Sequence, residues 1–533
     1  MAGTDAHADT DAMHAALQRH HALVQGLCRA DAWPAADGGP VDVVQTHLST
    51  VLLSRDWALK LKKPIALDFV DFSTLEKRRH FCLEELRLNR RTAGAWYVDV
   101  LPVTGTVDAP RLGGDGTPIE WALRMRRFDS ASAFDRLAAA GALTAAHVDA
   151  LAGAVAAFHA ALPASPAAYG DPQGALRVAL DNLRTLATLG IDPPAVEALR
   201  RWTGERFDAI ADLLAQRRAQ GRVREGHGDL HLGNIAWLDG AAVPFDALEF
   251  DPRLRHVDVL ADATFAFMDL LDRGLPAFAW RCLSQYLEHT GDHDGLPVVR
   301  WFAAYRALVR AKVAAIRAAQ PDALDAEHAE AVTAARRRLA LAHELAHPPA
   351  PRLVLTSGVS GSGKSTVAQH LVETLGAVRL RSDVERKRLH GLGPTARVAD
   401  PSTLYHARAT ERTYARLATL ARRAIDGGIP VVVDAAFLRR SERDAMVALA
   451  RTLGVDAVLV ECTAPEPVLR ERLERRAAGN RDASDATADV LALQLRVREP
   501  LAADEDAVVI DTDATPAEVG ARVAALVAGW RRR

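Results

Sequence analysis

The stretch LVLTSGVSGSGKST, residues 353–366, decides how the rear part of this 533-residue chain is built. Leu353-Val354-Leu355-Thr356-Ser357 is a short apolar run ending at a glycine, as expected of a strand buried on both faces. Gly358-Val359-Ser360-Gly361-Ser362-Gly363 follows, and Lys364-Ser365-Thr366 opens a helical pattern that continues through Leu371. Glycines let backbone N–H groups wrap a phosphate chain, and the N-terminus of the helix adds partial positive charge. In this strand-loop-helix setting the GxxxxGKS pattern sends Lys364 to the β- and γ-phosphates and puts the Ser365 hydroxyl on Mg²⁺. Gly358, Ser360, Gly361, Ser362, Gly363 and Thr366 complete the expected nucleotide cradle. A merely structural turn has no need of Lys-Ser at that point.

Downstream, strand-like runs near Val378, Val431, Val458 and Val508 alternate with helical patterns, which predicts a parallel sheet with covering helices. Val431-Val432-Val433-Asp434 is a buried strand ending in a carboxylate suited to metal or acceptor binding. Arg386, Lys387 and Arg388 lie on one helical stretch, either holding an anionic acceptor or forming a solvated face. Residues 351–533 resemble P-loop kinases of the zeta-toxin, gluconate-kinase and polynucleotide-kinase type. That resemblance implies Asp383 as the base contacting the acceptor hydroxyl. It also implies a lid, the helix around Arg470–Arg476 with the loop from Gly479 to Asp489, that brings Arg472, Arg475 and Arg476 over the transferring phosphoryl group. Exposed pairing of these arginines with Glu471 and Glu474 is the plain alternative.

Upstream, His347-Pro348-Pro349-Ala350-Pro351 interrupts a long helical pattern and marks a linker at 346–351. Before it, Val41–Val44, Val51–Leu53 and Trp57–Leu61 alternate as half-buried antiparallel strands do, and Ser73–Arg91 reads as a helix. Ser73 is its expected cap, Glu76 the reciprocal partner, and Leu75, Phe81, Leu83, Leu86 and Leu88 its apolar side. Another strand near Glu120–Arg126 precedes a largely helical span to about Arg218. A small β-rich lobe, residues 1–127, and a helical lobe, 128–345, are therefore expected ahead of a rear domain at 352–533.

Within the helical lobe, His227-Gly228-Asp229-Leu230-His231-Leu232-Gly233-Asn234 has the form HxDxxxxN, and an apolar segment ending in Phe245-Asp246 follows. In kinase-type transfer one Asp takes the proton of the attacking hydroxyl, while an Asn and a second Asp hold Mg²⁺ on the nucleotide. Asp229, Asn234 and Asp246 suit those roles. The alternative is a polar turn between core strands. Residues 40–340 resemble the aminoglycoside phosphotransferase and choline kinase superfamily, whose fold is similar to that of protein kinases. The segments Lys60–Pro64 and Asp68–Arg78 resemble a bacterial branch commonly fused to a P-loop kinase. The resemblance implies Lys60 as the lysine on the α- and β-phosphates, with Glu84 or Glu85 as its partner. Strand alternation places Lys60 and Lys62 on one face and excludes only Lys63.

Two features depart from that pattern. Gln45–Thr50 contains no glycine where a glycine-rich loop would cover the phosphates, and Asp246-Ala247-Leu248-Glu249 replaces Asp-Phe-Gly. Glu249 is then a further metal or substrate ligand, or an exposed or ion-paired residue. Arg306 and Arg310, four apart on one helix, either bind an anionic substrate or form a solvated basic face. No acidic cluster for a polycationic drug is visible.

The whole reads as an α/β and α+β multidomain protein: a two-lobed protein-kinase-like fold, then a P-loop domain with a parallel sheet. A net charge of -2, from 66 basic and 68 acidic residues, gives no global field for nucleic acid or membrane. The four cysteines show no metal or disulfide spacing, and no signal-like N-terminus or apolar run of about 18 residues is present, so a cytosolic setting is expected. ATP and Mg²⁺ are the expected cofactors and a small hydroxyl compound the expected acceptor. A nucleic-acid end is the less favoured acceptor, and a front module that merely regulates the rear one is a further alternative.

Overall fold

The computed structural model describes residues 3–33, 40–67, 70–319, 325–394, 396, 406–479 and 488–531. They form two compact units, one built from residues 1–147, 157–170 and 223–262, the other from 148–156, 171–222 and 263–533. The fold is of mixed class, kinase-like in front and a P-loop fold behind, as the sequence predicts.

The first unit holds a six-stranded antiparallel sheet in the order Asp42–Gln45, Ser49–Leu53, Trp57–Lys62, Glu120–Arg126, Tyr97–Gly105, Pro110–Leu112. Alternation buries Leu52, Leu59 and Leu61 against Leu23, Val24 and Leu27 of the N-terminal helix Gly3–Leu27. The strands Tyr97–Gly105 and Pro110–Leu112 were not anticipated. The helix after the third strand runs from Leu75 to Ala93 and is capped by Thr74, not Ser73, the Thr74 hydroxyl accepting from Lys77 N at 3.2 Å. Ser73 is drawn back instead, its N and Oγ donating to Asp71 Oδ1 at 3.0 and 2.6 Å. The inward stripe of this helix also differs from expectation. Leu83 is exposed, whereas Arg78, Cys82, Glu85, Leu86, Leu88, Asn89 and Ala93 are buried, so three polar side chains, Arg78, Glu85 and Asn89, occupy the buried face.

The second unit combines the helices Pro172–Thr188, Pro193–Ala219, Pro276–Thr290, Leu296–Ala318 and Asp325–Ala346 with a five-stranded parallel sheet. The sheet order is Val378–Arg381, Val431–Asp434, Leu353–Ser357, Ala457–Thr463, Ala507–Asp511, which centres the strand that feeds the glycine loop. All five residues of that strand are buried. Val354, Val432 and Val460 pack with Val367 and Leu371 of helix Lys364–Leu375 and with Val519, Val523 and Val527 of helix Pro516–Arg531. Burying both faces of such a sheet accounts for its near-continuous Val/Leu strands. No helix among the described residues is long and apolar enough to cross a membrane.

Candidate active sites

In the first unit, strand Trp57–Lys62 turns both Lys60 and Lys62 inward. Lys60 Nζ donates to Glu85 Oε1 at 2.8 Å and to Asp246 Oδ1 at 2.5 Å. Lys62 donates to Glu85 Oε2 and Glu249 Oε1. Each oxygen of Glu85, which is fully buried, therefore holds one lysine. Burial alone would lower the Lys60 ammonium, but Asp246 and Glu85 outweigh it and hold it well above its ordinary value. Burial would likewise raise the Asp246 carboxyl, and Lys60 brings it below the usual range. Glu84 is not part of this set: its carboxylate takes Arg87 and Arg255 at 2.7 and 2.6 Å. Glu249 is ion-paired and buried, which removes the exposed alternative.

The catalytic-type loop is fixed from three sides. Asn234 Nδ2 donates to Asp229 O at 2.9 Å and approaches Asp229 Oδ2 at 3.3 Å across the 3-10 turn Leu232–Asn234. Asp246 sits at φ 61°, an uncommon position for a non-glycine residue. Its N–H donates to the Tyr97 hydroxyl at 3.1 Å, and Ala247 N donates to Asn89 Oδ1 at 2.9 Å. Asp262, fully buried, accepts from His227 N at 2.7 Å and Gly228 N at 2.9 Å and contacts His159 Nε2 at 3.2 Å. Tyr97, Asn89 and Asp262 were missed in the sequence. A carboxylate inside the apolar run VLADATFAF was the signal available for Asp262.

The glycine-free turn closes on its own hydroxyls. Ser49 N donates to Thr46 Oγ1 at 2.9 Å, and Thr46 Oγ1 donates to Ser49 O at 3.0 Å. Thr50 is fully buried between Gln45 and His20, whose Oε1 and Nε2 each lie 3.0 Å from its hydroxyl.

In the second unit Arg306 is buried and its guanidinium lies over the Phe265 ring at 4.8 Å and the Tyr305 ring at 5.2 Å, which overturns the solvated-face alternative for this residue. Arg310, on the same helix, is half-buried.

The glycine loop of the second unit adopts the conformations its sequence calls for, with Gly358, Gly361 and Gly363 at φ 140°, 84° and 80°. A Cβ on Gly361 would lie 2.8 Å from Leu469 O. Lys364, Ser365 and Thr366 open the following helix, and Lys364 Nζ donates to Val359 O at 2.8 Å. Ser360 N donates to Gln494 Oε1 at 2.7 Å, and the buried Ser362 Oγ has no hydrogen-bond partner among the described residues. Asp434 closes its strand beside the loop strand, buried, with Oδ2 equally unpartnered in hydrogen bonds and Arg381 Nε 3.8 Å away. A buried carboxylate oxygen that takes no hydrogen bond and the Ser365 hydroxyl are hard oxygen donors of the kind Mg²⁺ takes, so this chain's residues fit that ion.

Asp383 stands in the first turn of helix Ser382–Leu389. On that helix the solvated basic face fails: Arg386 and Lys387 are buried, Arg386 Nη1 donating to Thr410 Oγ1 at 3.2 Å, and Arg388 pairs with Glu385. Arg472 is not an exposed helix residue either. Its guanidinium donates to Gly361 O at 3.2 Å and to Thr512 Oγ1 and O at 3.0 and 2.6 Å, bracing the loop backbone. Arg475 follows the plain alternative and pairs with Glu471 in solvent. The Arg476 side chain and the lid loop at 480–487 lie outside the described residues. Sequence reasoning missed Glu288, on helix Pro276–Thr290, which receives Arg379 Nη2 at 2.9 Å and Arg381 Nη1 at 3.0 Å. Burial would raise its carboxyl, but the two arginines outweigh it and hold it at about 2.

The family model described as the phosphotransferase enzyme family matches residues 82–245, and the one described as an AAA domain matches 353–501. The first match contains Glu85, Asp229 and Asn234 and stops one residue before Asp246. The uncharacterized protein Rv2004c of Mycobacterium tuberculosis is 31% identical over 482 residues, 88% of this chain and 91% of that protein. Among solved structures, amicoumacin kinase hAmiN in complex with AMP-PNP, Ca²⁺ and Ami is 13% identical, covering 61% of this chain and 92% of its own, with a TM-score of 0.37. The Mycobacterium tuberculosis APS kinase CysC in complex with AMPPNP and APS is 22% identical over 34% of this chain and 99% of its own, with a TM-score of 0.27.

Proposed function

Given that the chain belongs to the family of the mycobacterial protein Rv2004c and is an ATP-dependent kinase with a phosphotransferase-family domain and a P-loop domain, we propose that it transfers phosphoryl groups at two sites. The observation that carries the front site is the convergence of Lys60, Glu85 and Asp246 in one ion-paired set, in the same unit as the Asp229–Asn234 turn. On this reading residues 1–127 and 128–345 form the front kinase, 346–351 the link and 352–533 the rear kinase.

At the front, Asp229 accepts the proton of the acceptor hydroxyl. Lys60 exchanges Asp246 for the α- and β-phosphates, and Asn234 and Asp246 would hold Mg²⁺, which would neutralise charge on the phosphates. At the rear, the loop from Gly358 to Gly363 and Lys364 hold the phosphates, and Ser365 and Asp434 would hold the metal. Asp383 orients the acceptor hydroxyl and Arg386 binds the acceptor. Arg472 stiffens the loop, and Arg476 closes over the transferring group. With Arg386 and Lys387 buried, that helix offers little open cationic surface, which favours a small hydroxyl compound over a nucleic-acid end.

Transfer from γ-labelled ATP into a metabolite extract tests this. Asp229→Ala and Lys364→Ala should each abolish labelling of a different product. Loss of all labelling with Lys364→Ala alone, and none with Asp229→Ala, makes the front module regulatory.

A further inference from the structure

The edge strand Val378–Arg381 of the rear sheet does not end in solvent. Helix Pro276–Thr290, which precedes the proline-rich link in sequence but belongs to the same compact unit, lies along it. Arg379 N donates to Ser284 Oγ at 3.0 Å, and Glu288 takes both strand arginines. Arg381 is thus held between two carboxylates: Glu288 at hydrogen-bond distance, and Asp434, whose nearest oxygen is 3.8 Å from its Nε. All three side chains are largely withdrawn from water, with exposures of 14%, 14% and 5% for Arg381, Glu288 and Asp434.

We propose that Glu288 is a positioning residue of the rear site: by competing for Arg381, it keeps that guanidinium from closing onto Asp434 and leaves the Asp434 carboxylate for the metal of Mg·ATP. The proposal rests on the reading of Asp434 as a metal ligand given above. Its physical basis is the strength of ion pairing away from water. Weakening the Glu288 pair shifts the balance at Arg381 toward Asp434, and the 3.8 Å gap is within side-chain reach. A cation paired to Asp434 opposes Mg²⁺ binding directly. A carboxylate from outside the matched AAA-domain segment, 65 residues before it, would then set the metal affinity of the rear site.

The test uses the full chain carrying Lys60→Met to silence nucleotide binding at the front site, with ATP as probe and calorimetric binding measured in EDTA and across a Mg²⁺ titration. Glu288→Gln should raise the Mg²⁺ concentration for half-maximal enhancement of ATP binding about fivefold, the scale of one modest ion pair. Its affinity for ATP in EDTA should stay unchanged. Adding Arg381→Met to Glu288→Gln should return the Mg²⁺ requirement to the starting value, and Arg381→Met alone should leave it there or lower it. An unchanged Mg²⁺ requirement in Glu288→Gln overturns the proposal. So does a parallel fall in Mg²⁺-free binding with a lower unfolding temperature, which marks Glu288 as a brace only. If Lys364→Ala leaves ATP binding intact in this background, the rear-site reading itself fails and the proposal with it.

Discussion

Glu85 shows how one residue separates two jobs. With Lys60 on one oxygen and Lys62 on the other, it stays anchored to the strand by Lys62 when Lys60 is released to a nucleotide. Replacing Lys62 with Met strands Glu249 and half of Glu85 in a buried site. Unfolding of the first unit in urea should then show a loss of about 3–5 kcal/mol. Lys60→Met should cost less stability, because Asp246 is the more open carboxylate at 39% side-chain exposure, yet remove nucleotide binding at the front site. Equal destabilisation by the two substitutions would contradict this division. From the sequence, alternation put both lysines on one face, and only packing distinguished their partners. Glu84 and Glu85 were similarly ambiguous because adjacent helical positions differ by about 100° of rotation, and sequence does not state which one faces the strand.

At the scale of elements, two buried histidines tie stability to pH. His20, on the N-terminal helix against Thr50, is held at about 4 by burial, with Lys63 and Arg78 adding to it. His293, between helices Pro276–Thr290 and Leu296–Ala318, is also held at about 4, by burial and then by Arg388. Both folded values lie below the ordinary 6.5, so the unfolded chain binds more protons between pH 4 and 6.5. Stability should therefore fall as pH drops through that window, by up to one proton of slope for each histidine. Urea midpoints from pH 7 to 4.5 check this, and His293→Asn should flatten the slope of the second unit. The glycine-free hairpin is an element the sequence flagged correctly as unusual, while its closure by Thr46 Oγ1 required the strand register. The strand Tyr97–Gly105 went unread because it is interrupted by Pro102 and a register shift between Tyr97 and Asp99, which breaks the period-2 signal.

For the whole molecule, the proline-rich segment is a break in secondary structure, but the second compact unit runs through it. Residues 352–533 expressed alone should lose Ser284 and Glu288 from the edge strand, leaving Arg379 N and two strand arginines without those partners. An uncovered parallel edge invites pairing with other chains. A lower unfolding temperature than the full chain and concentration-dependent association are the expected outcomes, read by calorimetry and sedimentation. A monomer as stable as the full chain would show that the covering helix is dispensable. By itself, the sequence determined the glycine loop, its flanking strand and helix, the parallel sheet, the HxDxxxxN turn and the order of the two kinase-like parts. These are local signals, fixed by backbone freedom at glycine, by side-chain periodicity and by fixed spacing within one turn. Only the tertiary structure decided that Lys62 and Glu249 pair, that Arg306, Arg386 and Lys387 are buried, that Arg472 braces the loop, and that Glu288 reaches Arg381. Each of these joins residues far apart in the chain or depends on which helix face is covered, and burial and partner choice are set by packing between elements that no local pattern encodes.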